Sequence, residues 1–291
     1  MIILSACSNS AANNTVTNNL DADVETTKDV SLDIVTTDRV LYYMVKSIVN
    51  DKHNVEYMFK DKYSQFNFNF TQDSLYNIGN KDLFIYMGAS YEPWAEDFIG
   101  KLSKSKVRAI NVSRGVKILP LTNDIIYKNT TIKENPYYLM NYDNYKIAML
   151  NIKNSIQDKD PKNRDFYEKN FNDAVKSTEL EQKGIADTIS KLSDYTFIYS
   201  EDKIEYFVKY NSLNNIKLTP TNSSIKIKNP SKTVFLYCDS DVLKVNEELI
   251  KKYKLSTLNI KVPENDIKYE ELLLLNKSLF NSFYNSINIK K

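Results

Sequence analysis

The sequence predicts an α/β protein: two Rossmann-like lobes bridged by one long helix. Three observations carry that expectation. Short apolar runs of strand type alternate with helix-periodic segments over residues 31–162, one helical pattern runs from 163 to 192, and the alternation restarts over 193–291. Strands separated by helices argue for parallel sheets with right-handed crossovers. At 1.5 Å per residue the middle helix would span roughly 45 Å, longer than one small lobe needs.

In order, residues 32–36 read as a strand and 40–49 as a helix, with apolar residues at 41, 44, 45, 48 and 49. Residues 54–59 return as a strand, and Asp82-Leu-Phe-Ile-Tyr86 is a short apolar strand. Pro93 opens a helix carrying Trp94, Phe98 and Leu102, and 107–112 is again a strand. An irregular segment precedes a helix from Asp143 to about Ile156, stopped near Asp160-Pro161. In the bridging helix Tyr167, Phe171, Ala174, Thr178, Ile185, Ile189 and Leu192 recur mostly at three- and four-residue steps. Strands at 195–199, 216–219, 234–238 and 257–262 then alternate with helices at 203–210 and 242–253, and a last helix covers about 269–286.

Leu4-Ser5-Ala6-Cys7 has the form of a bacterial lipobox, in which small side chains precede a cysteine whose thiolate takes the lipid. Residues 1–7 thus read as a shortened signal segment. Residues 8–30, rich in Asn, Thr, Ser and Ala, read as a flexible tether. Two acyl chains on Cys7 would give stable anchoring to membrane lipid, so an extracytoplasmic location is expected. No run of 18 apolar residues follows Cys7, so no later segment is expected to span a bilayer.

Composition narrows the function. Lys+Arg 39 against Asp+Glu 37 leaves a net charge of +2, with no nucleic-acid footprint. The single histidine, His53, lies in Asp51-Lys-His-Asn54 and reads as solvated, so histidine-paired zinc sites and any arrangement needing a second histidine are excluded. None of the five glycines forms a dinucleotide loop, a P-loop or a nucleophile elbow. Asp239-Ser-Asp241 fails as a calcium loop, because Leu243 and Lys244 stand where a ligand and a glycine are needed. Cys238 reads as a buried, inert thiol in a strand, and no enzyme is expected.

Five segments together resemble the metal-specific (zinc/manganese) solute-binding lipoproteins of bacterial ABC importers. They are Asp33-Ile-Val-Thr-Thr37, Asp82-Leu-Phe-Ile-Tyr-Met-Gly-Ala-Ser-Tyr-Glu-Pro-Trp94, Asn135-Pro136, Asp160-Pro-Lys-Asn163 with Tyr167-Glu-Lys-Asn170, and Glu205-Tyr206-Phe207. The resemblance implies a metal cleft between the lobes, with two histidines from the first and a histidine or glutamate plus a carboxylate from the second. Carried over by position, the histidines fall on Phe66 and Tyr137, the third ligand falls on Glu201, and Asp239, Glu264 or Asp266 could supply the last. Phenylalanine cannot ligate, and neutral tyrosine must first lose a proton with a pKa near 10. The metal set is therefore degenerate, with Tyr137, Glu201 and Asp266 as the oxygen donors left. Residues 221–232 are also too few for the family's usual crossover helix.

The expected cleft lining is Thr37, Phe66, Tyr137, Tyr138, Arg114, Glu201 and Asp239, facing one another across the lobe gap. The alternative is a gap closed by Phe66 packing on Tyr137. The implied role is a monomeric binding lipoprotein working with an ABC permease, without a resident cofactor and without tight zinc binding. Two other readings stay open. One is a harder metal ion held by oxygen ligands alone, and the other is a surface adhesin or interaction module on the same scaffold.

Overall fold

The computed structural model describes residues 30–128, 130–221, 225–264 and 266–289. Cys7 and the tether up to residue 29 lie outside them. β1 (Asp33–Thr36) leads into α1 (Arg39–Val49). Asp38 starts that helix from extended backbone, its carboxylate accepting the Leu41 N–H at 2.9 Å and so satisfying one orphan donor of the first turn. Val40, Leu41, Met44, Val45, Ile48 and Val49 share the buried face. Next come β2 (Asn54–Tyr57), α2 (Lys62–Phe66), α3 (Gln72–Gly79), β3 (Leu83–Tyr86), α4 (Ala95–Leu102) and β4 (Arg108–Asn111). The four strands form a parallel sheet in the order β2-β1-β3-β4.

A hairpin, β5 (Pro120–Tyr127) with β6 (Thr130–Glu134), precedes α5 (Tyr142–Lys159) and the 27-residue α6 (Arg164–Ser190). The second lobe holds β7 (Thr196–Tyr199), α7 (Glu205–Tyr210), β8 (Asn215–Lys217), β9 (Thr233–Tyr237), α8 (Ser240–Val245), α9 (Glu247–Tyr253), β10 (Ser256–Asn259) and α10 (Tyr269–Ile289). Its sheet is also parallel, ordered β10-β9-β7-β8. One apolar core, from Leu32 in the first lobe to Phe283 on α10, runs through both lobes and along α5, α6 and α10. The two-lobed α/β architecture expected from the sequence is present.

Several local expectations need correction. Residues 113–137 read as irregular, yet they contain the hairpin, whose turn carries Lys128 at φ 50° rather than a glycine signal. The helices at 62–66 and 72–79 carry short patterns easily taken for loop; Thr71 and Ser74 cap the second reciprocally. The expected helix at 242–253 breaks at Asn246 into α8 and α9. The described residues between β8 and β9 hold no α-helix, only a 3-10 turn at Pro230–Lys232.

His53 is buried, not solvated, at 5% exposure. Its Nδ1 accepts the Leu32 N–H at 3.3 Å, and its Nε2 lies 2.7 Å from the Tyr167 hydroxyl, which donates to Asp160. Polar sequence neighbours hide this burial, which comes from α6 folding Tyr167 over the turn. Cys238 lies just past β9 rather than within it and is half-buried. No helix among the described residues is long and apolar enough to cross a membrane.

Candidate functional site

The carboxyl ends of both sheets converge on the gap between the lobes, where ligands of open parallel sheets bind. From the first lobe, the β1 end supplies Thr37 and Asp38, and the segment after β3 supplies Tyr91 and Glu92. The Glu92 carboxylate is 4% exposed and is held by four donors: Thr37 Oγ1 at 2.6 Å, Gln65 Nε2 at 3.0 Å, Met87 N at 3.0 Å and Gly88 N at 3.1 Å. These donors favour the anion, but burial outweighs them and pushes its pKa up to about 7. Burial likewise raises Asp38 to about 6. The loop that wraps Glu92 has left-handed backbone at Gly88, Ala89 and Ser90, with φ of 70°, 49° and 58°. A Cβ at Gly88 would sit 2.0 Å from Asn111 Oδ1, so at its left-handed φ a larger residue would be strained and would displace the Asn111 side chain.

Trp94 donates its indole N–H to the Gln65 carbonyl at 2.6 Å and so fixes α2. That places Lys62 in the gap. Its ammonium donates to the Tyr137 hydroxyl and lies 3.8 Å from the Tyr137 ring centre and 4.6 Å from the Tyr91 ring centre. Burial lowers the Lys62 pKa to about 8, and the Lys203 charge works in the same direction. Burial drives the Tyr137 phenol well above its usual range. From the second lobe, Lys203 lies 5.8 Å from the Tyr137 ring centre and 3.2 Å from Glu264 Oε1, an oxygen with no hydrogen-bond partner of proper geometry. A void of about 10 Å³ remains, lined by Asp38, Lys62, Gln65, Tyr91, Pro263 and Glu264 among others, about the room of one water. Beside it, a solvent-facing groove of about 610 Å³ opens over Lys203, Cys238, Asp239, Lys261 and Glu264.

The other expected residues go elsewhere. Phe66 packs edge-on against Tyr127 of the hairpin, ring centres 5.2 Å apart. Tyr138 is fully buried, donating to the Met87 carbonyl at 2.8 Å. Glu201 ties β7 to β9, accepting from Cys238 N at 2.7 Å, Cys238 Sγ at 2.8 Å and Asp239 N at 3.2 Å. Asp239 caps α8 and is exposed. Asp266 pairs with Arg39 and is exposed, while Arg114 is exposed in the turn after β4. Tyr137 and Glu264 therefore meet the gap, Thr37 stands behind it on Glu92, Asp266 sits at its rim on Arg39, and Phe66 and Arg114 lie away from it. Among the described residues, no group of three His, Cys, Asp or Glu side chains could hold a metal ion.

The sequence reading missed Lys62, Gln65, Tyr91, Glu92 and Lys203. Tyr91 and Glu92 lie inside its most specific motif, and Lys62 lies a few residues past a strand end. Position in the motif and at the strand end was the available signal. Asn135 and Tyr206, also motif residues, join the lobes instead. Asn135 Nδ2 donates to the Asp202 carbonyl at 2.8 Å, and the Tyr206 hydroxyl accepts from Leu119 N at 2.7 Å.

Two parallel sheets facing each other by their carboxyl ends, with one long helix behind, define a two-lobed binding protein rather than a single-lobe nucleotide fold. The chain belongs to the family described as zinc-uptake complex component A, periplasmic, whose model matches residues 34–233. It is 27% identical over 188 residues to a metal ABC transporter substrate-binding lipoprotein of Lactococcus lactis, covering 62% of this chain and 59% of that one. It is 30% identical over 148 residues to the metal ABC transporter substrate-binding lipoprotein FimA of Streptococcus parasanguinis, covering 48% and 46%. The matched stretch thus spans about half to three-fifths of these relatives. Among solved structures, a mutant of the laminin-binding adhesin Lmb of Streptococcus agalactiae superposes with a TM-score of 0.68 at 18% identity, covering 88% of this chain and 100% of that one. The metal-dependent lipoprotein YcdH of Bacillus subtilis gives 0.68 at 19% identity, covering 88% and 98%. These two likenesses concern the fold.

Proposed function

We propose that this chain is an extracytoplasmic substrate-binding lipoprotein of a metal-class ABC importer, anchored through Cys7, whose cleft does not hold zinc or manganese tightly. The names of its relatives support the transport role, and the lipobox supports the anchor. A monomer working with a membrane permease follows from the same reading.

The observation that carries the weak-metal reading is the Lys62 ammonium bonded to Tyr137 in the gap, with Lys203 facing the same ring. A divalent ion there would meet two positive groups and a phenol that burial keeps protonated, with Glu264 already paired with Lys203. The same facts count against a set of oxygen ligands that needs tyrosinate.

Calorimetric titration with zinc and with manganese tests this. No saturable heat at low micromolar metal is expected. A dissociation constant well below 1 µM would overturn the reading; at 100-fold saturation such a site would add about 2.7 kcal/mol of stability. For the anchor, Cys7→Ala is expected to move the protein out of the membrane fraction, and retention at wild-type level would refute it.

A further inference from the structure

We propose that the interlobe position is an ammonium cage kept filled by the chain's own Lys62, matched to a primary alkylammonium rather than a divalent metal and open to a free amine only once the lysine is removed. This deepens the weak-metal reading of the same cleft. The nitrogen lies against two tyrosine rings, 3.8 Å from the Tyr137 centre toward its hydroxyl, to which it donates, and 4.6 Å from the Tyr91 centre. Ring faces attract a cation through their quadrupole without requiring anionic ligands. That suits an ammonium with three N–H donors, whereas a divalent ion gives up far more hydration and needs charged oxygens. Lys62 lines the one-water void together with Asp38 and Glu264, so counter-charge stands near the ammonium without a direct ion pair.

The site is built from three separate parts of the chain. Lys62 comes from α2, Tyr91 from the strained loop after β3, and Tyr137 from the segment that leads into α5 behind the lobe-joining Asn135. Glu264 closes it from the second lobe. The walls are held without help from Lys62: Trp94 and Glu92 both bond Gln65 and so tie α2 to the Tyr91 loop, which the backbone donors to Glu92 fix in turn. Removing the lysine stem should therefore leave the walls standing around a space shaped for the missing atoms. Because the tethered ammonium competes at high effective concentration, the wild type should show no response to free amine.

The test is chemical rescue on the full chain. Lys62→Ala removes the three methylenes and the nitrogen that propylammonium supplies. The variant is expected to melt roughly 3–6 °C below wild type, with at least half of that loss restored by millimolar propylammonium. Sodium or butanol at the same concentration should restore nothing, and a second change, Tyr137→Leu, should abolish the rescue. Equal response of wild type and variant, or no rescue in a folded variant, would overturn the cage. Stronger rescue by zinc than by propylammonium would overturn its selectivity alone; zinc binding by the wild type is the separate failure of the weak-metal reading. If Lys62→Ala does not fold, the wild type decides by NMR. The Lys62 ε-methylene protons should be shifted upfield by the two rings and revert in Tyr137→Leu, and unshifted protons would overturn the proposal.

Discussion

The two lobes repeat one plan and finish it differently. In the first, β1-α1-β2 is followed by α2 and α3, then β3-α4-β4; in the second, β7-α7-β8 is followed by an irregular stretch, then β9, α8, α9 and β10. The outer face of the first sheet is covered by Ile78, Trp94, Ala95, Phe98 and Leu102; the Trp94 and Phe98 rings meet edge to face at 5.4 Å, and Phe68 meets them edge-on at 4.9 and 6.2 Å. The outer face of the second is covered by Leu218, Ile227 and Leu255, and neither α8 nor α9 has a buried residue. The site follows the same division. The first lobe presents a buried, four-donor carboxylate and a fixed lysine, while the second presents Lys203, Glu264 and an open groove. Losing one crossover helix thus thins an outer layer without disturbing the inner core that both lobes share.

The largest expected effects fall on that outer layer. Phe98→Ala should cost about 3–5 kcal/mol, whereas Ile250→Ala on half-buried α9 should cost about 1 kcal/mol, both read from urea midpoints. Equal costs would break the comparison. Next comes pH. The folded pKa of Glu92 is raised to about 7, so its stabilising contribution is fully present below about pH 4.5 and is lost as pH rises through 7. Glu92→Gln should remove a decline on the order of 2 kcal/mol between pH 5 and 8. An unchanged pH profile would contradict the buried carboxylate. The amino end of the same sheet behaves oppositely. Burial lowers the His53 pKa, so its contribution is present above about 6.5 and lost as pH falls below that, and His53→Gln should flatten the acid side. Smaller still, amides of α8 and α9 should exchange faster than those of α4 by roughly tenfold or more. Asp266→Asn should change stability by about 1 kcal/mol or less, since Asp266 is exposed although its partner Arg39 is half-buried.

The inner architecture was legible because strand runs and the periodicity of α6 are long-range patterns that burial forces on a sequence. Asp82 to Trp94 also marked the right loop. What stayed hidden were features set by contacts distant in sequence. Phe66 and Gln65 are neighbours, and only the bond from Trp94 decides that Gln65 turns inward while Phe66 turns to the hairpin. Nothing in the local sequence singles out Lys62; Tyr91 and Tyr137, distant in sequence, close around it. Phe66, the position matched to a family histidine, lies one residue past Gln65 on α2 and packs on the hairpin instead.

The most direct test of the central claim is a crystal of the full chain grown with excess zinc, with anomalous data collected at the zinc edge. The expected map has no anomalous peak in the gap and shows the Lys62 nitrogen between the Tyr91 and Tyr137 rings. A strong peak at roughly 2.0–2.2 Å from Tyr137 Oη or a Glu264 oxygen, with Lys62 displaced, would contradict it.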